Sequence, residues 1–173
     1  NSVSPDDGEN YAAMLALLRQ KLDVLGEQNG RYYEISVASP AGYEKIANFN
    51  LAGLAPSVDF FNLMSYDFHG TWENTTGHQS AFTGDANGYD VETAVNLYLA
   101  NGVDPGKIVL GAPLYTRGWS GVADGGDGGY LETTSGKAPG SFEAGRMVLR
   151  RDGAEGYVLL FEGGIKLVYR PGT

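Results

Sequence analysis

Apolar residues recur at helical spacing near the start of the chain. The recurring positions are Tyr11, Met14, Leu15, Leu18, Leu22 and Leu25. Steps of three and four residues bring such positions onto one face of an α-helix. Ser4 is a suitable N-cap, Pro5 suits the first helical position, and Gly26 is a stop signal. The pattern predicts a helix from about Pro5 to Leu25.

Three later segments have the apolar character of strands, namely residues 33–39, 58–66 and 108–114. The second and third are nearly continuous apolar runs, which is typical of parallel strands buried on both faces. Pro40 and Gly42 end the first strand, and Asp67 ends the second.

Helical patterns separate these strands. A short helix is expected around residues 43–48, and Asp90 is the predicted N-cap of a longer helix that Gly102 closes. The side chains predicted to face inward on it are Val91, Ala94, Val95, Tyr98 and Leu99. Helices that alternate with strands at this spacing indicate an α/β architecture. A barrel and an open sheet both fit, and in either one the functional residues follow the carboxyl ends of the strands.

The character of the chain changes after Gly118, where the sequence becomes too rich in glycine for a regular element. Further on, residues 157–161 and 165–169 flank a Glu-Gly-Gly turn and are predicted to form a β-hairpin. We therefore expect two parts, residues 1–120 and residues 121–173.

Composition narrows the range of functions. The formal charge is −9, with twelve basic residues scattered along 173 positions, which argues against nucleic acid as a partner. Apolar stretches are too short to cross a membrane. There is no cysteine and there are only two histidines, so a structural metal is not expected, and no cofactor is predicted. No secretory signal is recognisable in these residues, and the localisation stays open.

Two segments carry a resemblance to a known family. Residues 61–70 read FNLMSYDFHG and residues 107–119 read KIVLGAPLYTRGW. They resemble the sixth and seventh strands of the barrel of family 18 chitinases. Weaker similarity at residues 7–11, 38–42 and 141–145 extends the resemblance over about Asn1 to Gly145. It implies a partial, half TIM barrel built from strands 5–7 of the (β/α)8 fold, followed by a small glycine-rich, β-containing insertion.

The resemblance also implies a chemistry and a set of site residues. The family cleaves β-1,4-linked N-acetylglucosamine with retention, and the acetamido oxygen of the substrate is the nucleophile. By motif, Tyr66 would hydrogen-bond the acetamido group, Asp67 would hold a sugar hydroxyl, and Met64 would pack beneath. Tyr115 and Arg117 would line the same groove. The partner implied is a chitin-type oligosaccharide or polysaccharide.

Other residues of these segments have weaker claims. Trp72 and Trp119 are candidates for stacking on sugar rings, because flat aromatic faces suit the C–H faces of a sugar. His69 and His78 are expected to be solvated loop histidines, and Glu73 has no predicted partner.

One catalytic element of the family has no counterpart in this sequence. The fourth strand of family members carries DxxDxDxE, whose last Glu protonates the leaving oxygen, and no such motif occurs here. We therefore expect a truncated chitinase-like hydrolase with weak or no activity. Members of the family are usually secreted.

The missing motif leaves two alternative functions. The chain is a non-catalytic carbohydrate-binding protein, or it is a β-glycan hydrolase that uses other carboxylates, with Asp67 paired with Glu73 or Asp85.

The half barrel also predicts an assembly. It leaves two open sheet edges, through which we expect a homodimer to form.

Overall fold

The chain divides into two compact units that interleave in sequence. The computed structural model describes residues 4–123, 125–126, 128–140, 143–148, 150–151, 157–160 and 166–169. Unit 1 comprises residues 1–66 and 81–112, and unit 2 comprises residues 67–80 and 113–173. The predicted division into residues 1–120 and 121–173 is a different one, because it separates a barrel part of the chain from an insertion part. It stays a prediction.

Unit 1 is an α/β unit around a three-stranded parallel sheet. Its strands are β1 (Ser36–Pro40), β2 (Phe60–Met64) and β3 (Ile108–Leu110), in the order β1-β2-β3. Its helices are α1 (Pro5–Asn29), α2 (Tyr43–Ile46), α3 (Leu51–Leu54) and α4 (Val91–Ala100), with a 3₁₀ turn at Pro105–Lys107. In the register of the sheet, Val37 lies beside Phe61 and Phe61 beside Ile108. The predicted parallel α/β architecture is confirmed.

Helix α1 begins as predicted and ends later than predicted. The Ser4 hydroxyl accepts from the amide of Asp7, and the Asp7 carboxylate accepts from the amide of Ser4, which completes a capping box. Gly26 is not the stop, because the helix continues to Asn29 and ends at Gly30 in the left-handed conformation. A Cβ at Gly26 would lie 2.3 Å from the carbonyl oxygen of Arg31, so this glycine permits a close backbone contact.

The inward face of α1 agrees only in part with the apolar pattern. The buried or half-buried residues of this helix are Gly8, Tyr11, Ala12, Leu15, Arg19, Leu22 and Gly26, so Tyr11, Leu15 and Leu22 face inward as predicted. Met14, Leu18 and Leu25 are exposed instead. Small residues allow the backbone of α1 to approach its neighbours, since a Cβ at Gly8 would lie 2.4 Å from the carbonyl oxygen of Asn48.

Among the described residues, no helix has the length and apolar character needed to cross a membrane.

Burial of the sheet differs from the expectation of two covered faces. Along β2, Phe61 and Leu63 are fully buried, whereas Asn62 and Met64 are exposed. Strand β3 ends at Leu110, four residues earlier than predicted, and Leu110 is 49% exposed. The prediction that β2 is buried on both faces is therefore wrong. Its side chains are buried only at alternate positions, although the apolar run is nearly continuous.

Helix α4 is anchored at both ends. Asp90 caps it as predicted, accepting from the amide of Thr93 at 2.7 Å. Of the side chains predicted to face inward, Ala94 and Tyr98 are buried, and the Tyr98 hydroxyl donates to the carbonyl of Pro40 at 2.8 Å. Leu99 is exposed, contrary to the prediction, because it lies one position beyond the buried stripe.

Unit 2 is built from loops and short antiparallel strands. The strands are β4 (Tyr115–Arg117), β5 (Trp119–Ser120), β6 (Gly136–Lys137), β7 (Arg146–Val148), β8 (Arg150–Arg151), β9 (Tyr157–Leu160) and β10 (Lys166–Tyr169). Strand β4 pairs with β7, and β5 pairs with β6. Strands β9 and β10 pair in antiparallel fashion, so the strands of the predicted hairpin are confirmed, while its turn at 162–164 lies outside the described residues.

Candidate functional site

The backbone of Asp67 turns sharply at the start of unit 2. Its φ angle is 58°, in the left-handed region that Asp and Asn tolerate better than most residues. Holding a residue other than glycine there costs on the order of 1–3 kcal/mol and is frequent at functional sites. The next amide, that of Phe68, donates to the carbonyl of Gln79 at 2.9 Å, which fixes the loop behind the turn.

The Asp67 carboxylate is held by two residues of β4. Both Nε and Nη2 of Arg117 donate to Oδ1, at 3.0 and 2.8 Å. The Tyr115 hydroxyl donates to Oδ2 at 2.7 Å. Residues 115 and 117 alternate with Thr116 along an extended strand, which brings both side chains to the same face. The sequence prediction that Asp67, Tyr115 and Arg117 belong to one site is consistent with this geometry.

An exposed aromatic ring extends the arrangement. The guanidinium carbon of Arg117 lies 5.0 Å from the ring centre of Trp72, and 57% of Trp72 is exposed. Gly70 makes room for the indole, since a Cβ at Gly70 would lie 2.2 Å from a ring carbon of Trp72. Asp67, Trp72, Tyr115 and Arg117 are called the Asp67 cluster below.

Tyr115 is held as a hydrogen-bond donor. Burial, followed by the hydrogen bond to Asp67, raises the pKa of Tyr115 to about 12. Its hydroxyl therefore keeps its proton at neutral pH.

One neighbour of Tyr115 was missed by the sequence analysis. The guanidinium carbon of Arg146 lies 4.2 Å from the ring centre of Tyr115, and Arg146 also pairs with Glu143 at 3.5 Å. The contact depends on the pairing of β4 with β7, which sets Arg146 opposite Arg117. No local pattern in the sequence predicts the pairing of β4 with β7.

The loop histidines behave differently from each other. His78 is exposed, as predicted, but His69 is 5% exposed, so the prediction of a solvated His69 was wrong. The Nδ1 atom of His69 lies 3.1 Å from each carboxylate oxygen of Glu73. Glu73 Oε2 also accepts from the amide of Gly70 at 3.0 Å, and Gly77 packs flush against the buried ring. Glu73 thus has the partner that was lacking in the sequence analysis.

Met64 and Tyr66, the other two residues of the motif, belong to unit 1. Met64 is 40% exposed at the end of β2, so it is not a core residue. Tyr66 is half-buried and packs over Gly111, where a Cβ would lie 2.8 Å from a ring carbon of Tyr66. Their predicted roles toward a sugar stay predictions.

Trp119 lies on β5, paired with Lys137, and lines an open pocket of unit 2 that Arg117 also lines. Its indole N–H is buried and has no acceptor among the described residues. Within the same part of the chain, no group of three potential metal ligands is placed to hold an ion.

The sequence is similar to a family profile and to several known proteins. The profile described as "Glycosyl hydrolases family 18" matches residues 1–155. Chitinase A1 of Niallia circulans is 39% identical over 155 residues, which are 84% of this chain and 22% of that protein. The chain therefore belongs to glycosyl hydrolase family 18.

Solved structures are similar over most of this chain. A family 18 N-acetylglucosaminidase from Paenibacillus barengoltzii is 31% identical, with a TM-score of 0.71 over 84% of this chain and 42% of that one. A mutant class V chitinase from Nicotiana tobaccum, solved in complex with NAG4, is 25% identical, with a TM-score of 0.77 over 86% of this chain and 44% of that one. The chain thus spans less than half the length of each of these three relatives.

Proposed function

We propose that the Asp67 cluster binds β-1,4-linked N-acetylglucosamine oligosaccharides, and that the 173 residues alone hydrolyse them weakly or not at all. The observation that carries the proposal is the Asp67 carboxylate, held by Arg117 and Tyr115 beside the exposed ring of Trp72. The NAG4 bound to the tobacco relative gives the class of ligand.

The hydrogen bonds of Asp67 suit recognition of a hydroxyl group. A carboxylate offers about four lone-pair sites. Three N–H or O–H donors from Arg117 and Tyr115 occupy three of them, which leaves about one for a sugar hydroxyl. Trp72 supplies an exposed aromatic face beside it, on which a sugar ring can stack.

Weak turnover follows from the sequence. The residues contain no DxxDxDxE motif, which carries the general acid in the family. General acid catalysis contributes roughly 10² to 10⁴ in rate, so a chain that works without it is expected to be slow. The proposal includes the hydrogen bond of Tyr66 to the acetamido group and the packing of Met64 beneath the sugar, as the resemblance implies.

The non-catalytic alternative, a carbohydrate-binding protein, has a specific observation in its favour. Asp67 and Glu73 each have separate partners: Asp67 bonds Arg117 and Tyr115, while Glu73 bonds His69 and the amide of Gly70. We take two carboxylates that are each held by their own donors as support for binding, whereas hydrolysis by Asp67 with Glu73 would need their carboxyl groups about 5 to 5.5 Å apart for retention or about 6.5 to 9.5 Å apart for inversion.

The half-barrel origin and the homodimer belong to the same proposal. We assign β1, β2 and β3 to strands 5–7 of the family barrel, and residues 121–173 to a remnant of the insertion domain and a divergent tail. The exposed side chains of Val109 and Leu110 on β3 support an apolar contact with a second copy. Small-angle scattering over a dilution series tests it: a dimer at micromolar concentration is expected, and a monodisperse monomer throughout would contradict it.

The activity is tested with soluble chromogenic chito-oligosaccharides, with a cello-oligosaccharide as the matched substrate and Asp67→Asn as the matched variant. We expect little or no turnover of either substrate. Substantial turnover that is lost in both Asp67→Asn and Glu73→Gln would contradict this and support the hydrolase that uses other carboxylates.

A further inference from the structure

The exposed ring of Trp72 belongs to a tight turn formed by residues 70–73. The amide of Glu73 donates to the carbonyl of Gly70 at 3.0 Å, which is the backbone hydrogen bond of a β-turn. The Glu73 side chain closes the turn a second time, because its Oε2 atom accepts from the amide of Gly70 at 3.0 Å. Hydrogen bonds in both directions between residues 70 and 73 thus fix the backbone on each side of Trp72.

His69 supports the carboxylate of Glu73 from inside unit 2. Its Nδ1 atom lies 3.1 Å from each of the two carboxylate oxygens. The imidazole ring is buried and lies against Gly77, where a Cβ would be 2.4 Å from a ring carbon. A ring enclosed in this way has little room to move, so it gives Glu73 a fixed point of attachment.

The segment that follows the turn is also fixed. The amide of Thr134 donates to the carbonyl of Asn74 at 3.1 Å, and Thr75 forms an isolated antiparallel bridge with Thr133. The turn 70–73 is therefore held at its start by His69 and at its end by the segment 133–134.

The turn directs the indole of Trp72 toward Arg117. The ring lies back over Gly70, and its centre is 5.0 Å from the guanidinium carbon of Arg117. Since 57% of Trp72 is exposed, side-chain contacts cover less than half of it. The orientation of the ring therefore depends strongly on the backbone beneath it.

We propose that Glu73 is a positioning residue of the Asp67 cluster. It holds the turn 70–73 so that Trp72 already lies beside Arg117 before a sugar ring stacks on it. Glu73 itself needs no contact with the sugar. A side chain that is ordered before binding avoids an ordering cost that corresponds to roughly two- to tenfold in affinity. The inference rests on the proposed function and adds to it a residue that acts through Trp72.

The position of Trp72 is tested first, in the absence of sugar. Trp119→Phe leaves Trp72 as the only tryptophan, so acrylamide quenching and fluorescence anisotropy report on this ring alone. In that background Glu73→Ala is compared with Asn74→Ala, which removes an exposed neighbouring side chain as the matched control. We expect Glu73→Ala to raise the quenching and to lower the anisotropy of Trp72. Equal signals from Glu73→Ala and Asn74→Ala overturn the inference.

Glu73→Gln is the conservative variant in the same experiment. Its amide oxygen can still accept from the amide of Gly70, but it offers one oxygen where the carboxylate has two. We therefore expect a Trp72 signal between those of the native residue and Glu73→Ala. A signal as strongly changed as that of Glu73→Ala would overturn a role based on closing the turn.

A double-mutant cycle then tests whether Glu73 acts on binding through Trp72. Glu73→Ala, Trp72→Ala and the double variant are titrated calorimetrically with NAG4, and urea unfolding establishes that each is folded. We expect Glu73→Ala to lower the affinity roughly two- to tenfold, and to lower it no further once Trp72 is an alanine. Additive losses overturn the inference. If Glu73→Ala is unfolded, Glu73→Gln takes its place in the cycle, with a smaller loss expected.

The titrations separate this inference from the proposed function. Binding of NAG4 by the native chain together with equal binding by Glu73→Ala overturns the positioning role and leaves the proposed function standing. If the native chain does not bind NAG4, the proposed function fails and the inference fails with it.

Discussion

Arg117 and Asp67, fifty positions apart in the chain, are joined by two hydrogen bonds to a single carboxylate oxygen. The second oxygen is left to Tyr115. Because one residue supplies two donors in a fixed fork, the direction of the carboxylate is determined as well as its charge. The left-handed backbone of Asp67 is the local cost of that arrangement.

Arg117→Lys tests the importance of the fork. A lysine keeps the charge but cannot donate from two fixed N–H groups, so we expect sugar affinity to fall and the free energy of unfolding to drop by about 1–3 kcal/mol. Arg31→Lys, at an exposed position, is the matched control. Urea unfolding and calorimetry measure both quantities, and an unchanged Arg117→Lys would speak against the role of the fork.

Gly8→Ala and Gly26→Ala test the close approach of α1. In an ordinary helix such a change stabilises by roughly 0.5–1 kcal/mol. Here the new Cβ would meet a backbone oxygen at 2.4 or 2.3 Å, so we expect destabilisation instead. Ala16→Gly, at an exposed position of α1, calibrates the helix propensity. Stabilisation by either alanine in urea unfolding would refute the close packing.

Tyr98→Phe tests the buried hydroxyl of α4. The change leaves the carbonyl of Pro40 without its donor, and we expect a loss of about 1–3 kcal/mol in the free energy of unfolding at pH 7. Tyr11→Phe is the matched control, because the half-buried Tyr11 hydroxyl has no hydrogen bond among the described residues. A loss as small as that of Tyr11→Phe would contradict the account.

The same tyrosine predicts a loss of stability in alkali. Burial raises the pKa of Tyr98 to about 12, above the value of about 10 for the unfolded chain. The folded state then holds its proton more tightly, so this contribution is complete below about pH 10 and is lost as the pH rises toward 12. Urea midpoints between about pH 9 and 11 should fall more steeply for the native chain than for Tyr98→Phe; parallel curves would refute this.

Asp90 predicts a loss of stability in acid. Burial opposes ionisation, but hydrogen bonds from Thr93, Asp85 and Gly84 outweigh it and lower the pKa of Asp90. The contribution of Asp90 to the free energy of unfolding is therefore present above the unfolded pKa of about 3.9 and is lost as the pH falls below it.

Replacing Asp90 tests its role as the N-cap. Asp90→Ala should lower the free energy of unfolding by about 0.5–2 kcal/mol at pH 7, and Asp90→Asn should lower it less, because Asn is also a good N-cap. Equal losses in thermal unfolding of the two variants would contradict the capping role.

Local signals predicted much of unit 1. Ser4 and Asp90 each start a helix where a capping residue precedes a helical pattern, and both caps are present. Burial was harder to predict, because Gly8 and Gly26 are buried for close packing and carry no apolar side chain. Hydrophobicity alone therefore identified Tyr11, Leu15 and Leu22 on the inward face of α1 and missed its glycines.

Residues of the candidate site could be predicted only where they belong to a motif of the family. Asp67, Tyr115 and Arg117 came from the resemblance, and the structure brings them together. The burial of His69 against Glu73 could have been suspected from their spacing of four residues, although that spacing also suits two solvated side chains. Arg146 and the pocket beside Trp119 depend on strand pairing and on glycine-rich loops, for which the sequence offers no periodic signal.

Calorimetric titration of the chain with NAG4 at neutral pH tests the central claim most directly, with Asp67→Asn as the matched variant. Asn keeps the size of the side chain and tolerates the left-handed backbone, so the comparison isolates the carboxylate. The account predicts saturable binding to the native chain and an affinity at least about tenfold weaker for Asp67→Asn, a difference of about 1.4 kcal/mol. Equal affinity of two folded proteins, or no binding by the native chain, would contradict it.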